Sequence, residues 1–98
     1  MPNSPIYTIS YTKSFERKYG KLIRNNKKLS SRIDLVIDQL KMNPYSQPLK
    51  THKVGYDKLF GELWSSRVTG DIRIIWVKHH DYNYHLVLIN IGGHNDVY

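Results

Sequence analysis

The sequence predicts an α+β fold: an antiparallel sheet of about four strands in the order β-α-α-β-β-β, with an N-terminal helical hairpin packed on one face. Three observations lead there. Apolar residues recur with a helical period from Phe15 to Leu40 and as strand-like runs after Gly61. The later runs are separated by short turns, which makes consecutive strands antiparallel neighbours, a meander. The chain has 98 residues, enough for one domain with one modest core. Residues 1–98 are therefore expected to form a single domain.

Each element has its own signal. The stretch "IYTISY" (Ile6 to Tyr11) alternates and is rich in β-formers, so it predicts a strand. Thr12 or Ser14 can then cap a helix. Within "SFERKYGKLIRNN", Phe15, Tyr19, Leu22 and Ile23 form one apolar stripe, while Arg17, Lys18, Lys21 and Arg24 occupy other faces. Gly20 weakens this helix by up to roughly 1 kcal/mol relative to alanine, and Asn25-Asn26 breaks it. A second helix follows in "KLSSRIDLVIDQLKMNP", with Leu29, Ile33, Val36, Ile37 and Leu40 as its stripe. It ends at Asn43-Pro44, because a residue before proline is pushed out of helical geometry. The short link between the two helices predicts an αα-hairpin. From Tyr45 to Gly61 the chain reads as a loop, with turn signals at Pro44, Pro48, Gly55 and Gly61, long enough to be a functional segment. Then "ELWSSRV", "IRIIWVK" and "YHLVLINI" read as strands, separated by turns at "TGD" and "HHDYN". The third is nearly continuous in apolar residues, as a central, covered strand should be.

Charge is distributed unevenly. Residues 1–50 carry ten Lys/Arg against three Asp/Glu, whereas residues 51–98 carry five of each, so the first half holds the whole net charge of +7. A basic half beside a neutral one is an electrostatic footprint for a polyanion. A lysine-rich solvated helical surface, or a site for an acidic protein partner, would show the same charge. There is no cysteine, which excludes disulfides and thiolate metal sites and fits a cytoplasmic setting. No apolar run approaches a transmembrane span, and "MPNSPIYTIS" lacks the pattern of a signal peptide, so no membrane association is expected.

The sequence contains no glycine-rich phosphate loop, no His-Glu-x-x-His and no Cys/His metal spacing, so neither a metal nor another cofactor is expected. His79-His80, adjacent in a turn, would make a poor chelate. No nucleophile motif supports a Ser-His-Asp site. What is left is a polar set around the meander. Arg67 ends the first meander strand, Asp71 lies in the turn and Arg73 opens the next strand. A Thr69-Gly70 loop would put the two arginines on opposite faces; a Thr69-Gly70-Asp71 loop would put them opposite each other on one face. One residue of register separates these cases, and the sequence leaves both open. Arg67 and Asp71 alone would also fit a surface ion pair. His52 lies between Lys50 and Lys53 in "LKTHKVG" and by itself reads as a solvated loop histidine.

The end of the chain, "LINIGGHNDVY", is more pointed. Gly92-Gly93 can let the backbone leave the sheet sharply or approach a ligand closely, which would set His94 at the sheet edge. RNA cleavage by the 2′-hydroxyl needs a base for that proton, an acid for the 5′-oxygen and cations for the phosphorane. Histidines suit the first two roles and arginines the third. His52, His94, Arg67, Arg73 and Lys50 would suffice without a metal.

With these residues in view, "PLK…LWSSRVTGDIRIIW…LINIGGHNDVY" resembles the RelE/YoeB/YafQ-type toxins of bacterial type II toxin–antitoxin systems, in the RelE/ParE superfamily. The similarity runs over nearly the whole chain, and "WSSRVTGDIRIIW" together with "IGGHNDVY" carries most of it. The resemblance implies a RelE/ParE-like fold and a small mRNA interferase that cuts messenger RNA in the ribosomal A site. It also implies a cognate acidic antitoxin that wraps and silences the toxin. It makes Arg67 the arginine that contacts the scissile phosphate, aligned with a catalytic histidine of the YafQ branch, and Arg73 the arginine of the next strand. Asp71 matches an acidic residue of the YafQ branch, and His52 matches that branch's loop histidine. His94 matches the late histidine that transfers a proton, as the acid, and Tyr98 a terminal aromatic that stacks near base or phosphate. Lys50 and Lys53 fall among the substrate-binding cations. One departure matters. Where the YoeB branch has a glutamate base before "PLK", this chain has Gln47. The base role therefore falls to His52, with Asp71 as the other candidate.

Two other readings compete. ParE-like members share the fold but inhibit DNA gyrase, and a plain nucleic-acid-binding module would explain the charge. The proton-transfer set of His52 and His94 with two arginines favours the nuclease over both.

Overall fold

Thr12 decides where the first helix begins. In the computed structural model, which describes residues 5–93 and 97, strand β1 (Thr8–Tyr11) runs directly into helix α1 (Lys13–Ile23). The Thr12 hydroxyl accepts from the Phe15 N–H at 3.1 Å, satisfying one of the open donors of the first turn. The same hydroxyl donates to the Ile89 carbonyl at 3.3 Å, so the cap also ties the helix to a later strand. Helix α2 (Lys27–Met42) opens on Asn26, whose side chain accepts from Leu29 N–H at 3.1 Å. It ends at Asn43, just before Pro44 as expected.

The segment from 45 to 61 is not the expected loop. It holds a 3-10 helix (Gln47–Leu49) and an edge strand, β2 (His52–Asp57). The sequence hid this strand because an edge buries little: "HKVGYD" has exposed His52, Lys53 and Tyr56, and a bulge between Lys53 and Gly55 breaks its alternation. With β3 (Gly61–Arg67), β4 (Ile72–Lys78) and β5 (His85–Gly93) the sheet has five strands rather than four, in the order β1-β5-β4-β3-β2. It is mixed rather than antiparallel throughout. β2 to β5 form the antiparallel part, but β1 joins β5 in parallel, Thr8 opposite His85 and Tyr11 opposite Leu88. That pairing joins the two ends of the sequence and leaves no local signal. A second correction concerns Gly92-Gly93. The pair does not turn the chain off the sheet; both glycines continue β5, opposite Arg73 and Ile72.

Both helices lie on one face of the sheet. Phe15 from α1, and Ile33, Val36, Ile37 and Leu40 from α2, pack with Ile74, Trp76, Leu86, Leu88 and Ile91 into one core. The helical stripes read from the sequence are the buried ones. α1 packs chiefly along β5, while the backbone of α2 comes closer to α1 than to any strand, its apolar stripe closing the core. The Tyr11 phenol, at the α1–α2 groove, is pushed above its usual pKa by burial first, with Asp34, Tyr19 and Asp38 adding to the effect. Among the described residues no helix is long and apolar enough to cross a membrane.

A polar chain crosses this core and fixes the segment that precedes β2. Trp76 Nε1–H, fully buried, donates to Ser66 Oγ at 2.8 Å. Ser66 Oγ and Thr51 Oγ1 are 2.6 Å apart, and Thr51 Oγ1 donates to the Pro44 carbonyl. The end points set the direction. Indole can only donate and the carbonyl can only accept, so Ser66 must donate to Thr51. Ser66→Ala breaks the chain in the middle and leaves the indole N–H without its partner. We expect a loss of about 1–3 kcal/mol, read as a lower urea midpoint at unchanged slope; an unchanged midpoint would show that the chain contributes nothing.

Candidate active site

The β3–β4 turn settles the register that the sequence left open. Arg67 pairs with Arg73, so the loop is Thr69-Gly70-Asp71 and the two arginines stand opposite each other on one face. Thr69 selects this form. Its hydroxyl accepts from the N–H groups of Asp71 (3.2 Å) and Ile72 (2.9 Å), the short-range bonding that builds a three-residue turn. Its N–H and that of Val68 both donate to the Ile72 carbonyl.

The Thr69 carbonyl then gathers the arginines. It accepts from Arg67 Nε at 3.2 Å and from Arg73 Nη1 at 2.7 Å. Two full positive charges thus share one neutral acceptor, each using part of a five-donor fork. Such a pair is a poor internal arrangement and a good anion site. Each guanidinium is partly exposed.

Strand alternation tells which face this is. Ser66, Ile74 and Ile91 belong to the row that points into the helix-covered core. Arg67 and Arg73, one residue away, therefore lie on the opposite face. His52 joins them there: it pairs with Ser65, two residues before Arg67. Strand spacings put the Cα atoms of His52 and Arg67 roughly 8 Å apart. The His52 ring is held by its own strand entry. Lys50 takes a left-handed backbone (φ 48°) at the end of the 3-10 helix, and its carbonyl accepts from His52 Nδ1 at 3.0 Å. A carbonyl only accepts, so Nδ1 carries the proton, and the neutral ring presents an unprotonated Nε2.

The remaining residues fall in different places. Asp71 is exposed in the turn, beside the arginines in sequence. Lys50 is exposed where β2 begins. Lys53 pairs with Trp64, on the helix-bearing face, and forms an exposed ion pair with Glu62 at 3.1 Å; it is not brought to the arginine face. His94 and Tyr98 lie outside the described residues. β5 carries the chain as far as Gly92, opposite Arg73, and Gly93, opposite Ile72.

Sequence reasoning did not single out Lys28 and Arg32. They line a cleft of about 600 Å³ between the start of α2 and the β3–β4 turn, with Pro48, Arg67, Thr69 and Gly70 on its walls. Arg32 Nε donates to the Val68 carbonyl at 2.9 Å and ties helix to turn. In the sequence these two cations look like any solvated face of a basic helix; only the fold brings them next to Arg67.

No protein-family model matches the sequence, and a sequence comparison with characterised proteins finds no match. Solved structures do match in fold. A YoeB/ParE toxin from Agrobacterium tumefaciens superposes with a TM-score of 0.71 at 20% identity, covering 89% of this chain and 98% of that one. A chain of the E. coli DinJ–YafQ toxin–antitoxin complex gives 0.70 at 18% identity, covering 95% and 98%. The archaeal RelE–RelB complex from Pyrococcus horikoshii OT3 gives 0.69 at 17% identity, covering 90% and 94%. At these identities the likeness establishes a shared fold, the one adopted by YoeB, YafQ and RelE toxins.

Proposed function

We propose that this chain, which carries the fold of YoeB-, YafQ- and RelE-type toxins, is itself the toxin of a type II toxin–antitoxin module, a single catalytic domain over residues 1–98 that cleaves mRNA on the ribosome. The observation that carries the reading is the convergence of Arg67 and Arg73 on the Thr69 carbonyl, with His52 on the same sheet face. A scissile phosphate is the ligand such a pair suits, because guanidinium forks match its oxygens and its charge relieves their repulsion.

The chemistry draws on side chains alone. His52 Nε2 takes the proton from the 2′-hydroxyl, and O2′ attacks phosphorus. Arg67 and Arg73 stabilise the charge that builds on the non-bridging oxygens. The bond to O5′ breaks as His94 delivers a proton there, leaving a 2′,3′-cyclic phosphate and a 5′-hydroxyl. Lys50, at the same entry to β2, adds charge for the backbone, and Tyr98 stacks near the cleaved step; Lys53, on the other face and paired with Glu62, takes no part. Asp71 is the alternative base.

Partners follow from the same reading. The DinJ–YafQ and RelE–RelB structures are complexes, and a neutralising partner of acidic character suits a chain of net charge +7.

Primer extension on cellular mRNA after induction tests the reading. Cleavage within translated codons is expected, and His94→Ala should abolish it while leaving a folded protein. Intact mRNA alongside stabilised gyrase–DNA cleavage complexes would overturn it in favour of a ParE-like toxin.

A further inference from the structure

At the far end of the arginine face, the fold gathers rings instead of charges. Alternation along β4 puts Arg73, Ile75, Val77 and then His79 on that one face, and strand rise sets His79 about 20 Å from Arg73. His79 and Tyr82 lie with ring centres 4.7 Å apart, and His85 meets His79 edge-on at 5.6 Å. Tyr7 and Tyr84 form a second edge-on pair at 5.3 Å. These five rings line a hollow of about 340 Å³ at the end of the sheet together with Lys78, Asn83 and Leu86. His79 and His85 come from the arginine face, and Tyr7, Lys78 and Leu86 from the helix-covered one. Its size is within the range of small-molecule sites.

The hollow is built rather than incidental. Both nitrogens of the His85 ring are bonded to hydroxyls, Nδ1 to Thr8 and Nε2 to Ser10 at 2.9 Å. Tyr84 has a φ of 62°, a region that a bulky aromatic enters only at a cost. Its carbonyl accepts from Thr8 N–H at 2.9 Å, which anchors that backbone. The Asp81 N–H donates to His79 Nδ1 at 3.1 Å, so neutral His79 carries its proton on Nε2 and can donate from there. Tyr82 and Tyr84 nevertheless remain 66% and 59% exposed. Open ring faces beside hydrogen-bond donors are what an unpaired base needs, since every base has a face to stack and an edge to bond.

We propose that this hollow takes an unpaired nucleobase of the same RNA strand whose phosphate the arginine pair holds. The proposal rests on the ribonuclease reading above. At about 3.4 Å per stacked nucleotide, roughly six nucleotides bridge the two sites. Lys78 on the wall of the hollow, and the placing of His79 and His85 on the same sheet face as the arginine pair, favour RNA over a protein segment as the occupant.

The test uses a ten-nucleotide single-stranded RNA, 2′-O-methylated throughout so that it cannot be cut, and fluorescence anisotropy across a salt series. Tyr82→Ala should weaken binding about five- to a hundredfold, the range of one lost stack, without changing the salt slope, because no phosphate contact is lost. Tyr82→Phe should restore affinity. Arg73→Ala should weaken binding and lower the slope. Three results overturn the platform: no binding by the wild type, equal binding by Tyr82→Ala, or a Tyr82→Ala defect confined to self-association in sedimentation. The ribonuclease reading is judged separately, by primer extension with the wild-type chain. Cleavage with a failed platform leaves that reading standing, and absent cleavage removes it whatever the oligonucleotide does.

Discussion

Arg73→Ala should slow mRNA cleavage about a hundred- to a thousandfold, the usual effect of removing one group that stabilises a developing oxyanion. The geometry makes this variant informative because it separates activity from stability. Arg73 and Arg67 both donate to the Thr69 carbonyl, their bonding nitrogens within about 6 Å of each other. At about 6 Å and an effective dielectric constant of about 20, two such charges repel by about 3 kcal/mol, less after screening by water. Removing one relieves that repulsion, and the carbonyl keeps its bond from Arg67. The backbone pairing of Arg73 with Arg67 and Gly92 does not involve the side chain. The variant should therefore unfold at the same urea concentration as the wild type, or a higher one. Single-turnover cleavage and urea titration on the same samples check both halves. Unimpaired cleavage would remove the arginine from the reaction, and a large loss of stability would recast it as a structural residue. Arg73→Lys keeps the charge but not the fork, so its rate should fall between the two.

How much of this was legible follows the burial of each element. The helical stripes of α1 and α2 and the apolar runs of β4 and β5 face a dry core, and burial imposes the period that the sequence displays. Edge strand β2 faces water on much of its surface, so "HKVGYD" shows no such period and reads as loop. The parallel β1–β5 pair depends on residues such as Thr8 and His85, 77 positions apart, and no window of sequence contains both. The turn was open to two registers because both put glycine and polar residues at its tip. The deciding group was the Thr69 hydroxyl, which caps Asp71 and Ile72 only in the three-residue form. Gly92-Gly93 misled for a different reason. Glycine permits a sharp exit but does not require one. In β5 the pair lies beside Ile72 and Arg73, and Gly92 puts no side chain next to the Arg73 side chain. At the site itself, residue types were readable and positions were not. His52 and the arginines were singled out, yet only the five-stranded sheet puts them on one face.

His52→Ala should cost about a hundred- to ten-thousandfold in cleavage rate, the range for a positioned general base. It should also change the shape of the pH profile. A base works only unprotonated, so the wild-type rate should fall at low pH; in the variant that acid limb should disappear. The Lys50 carbonyl adds a sharper expectation. It holds the proton on Nδ1 and so leaves Nε2 as the accepting atom. His52→Asn places an amide N–H where Nδ1 stands and can keep the bond to the Lys50 carbonyl, but it offers no base, so it should be as inactive as alanine. Asp71 is the rival, and the same profile separates the two. If Asp71 abstracts the proton, Asp71→Asn removes the acid limb while His52→Ala keeps it. On the ribonuclease reading, the variant whose profile flattens identifies the base.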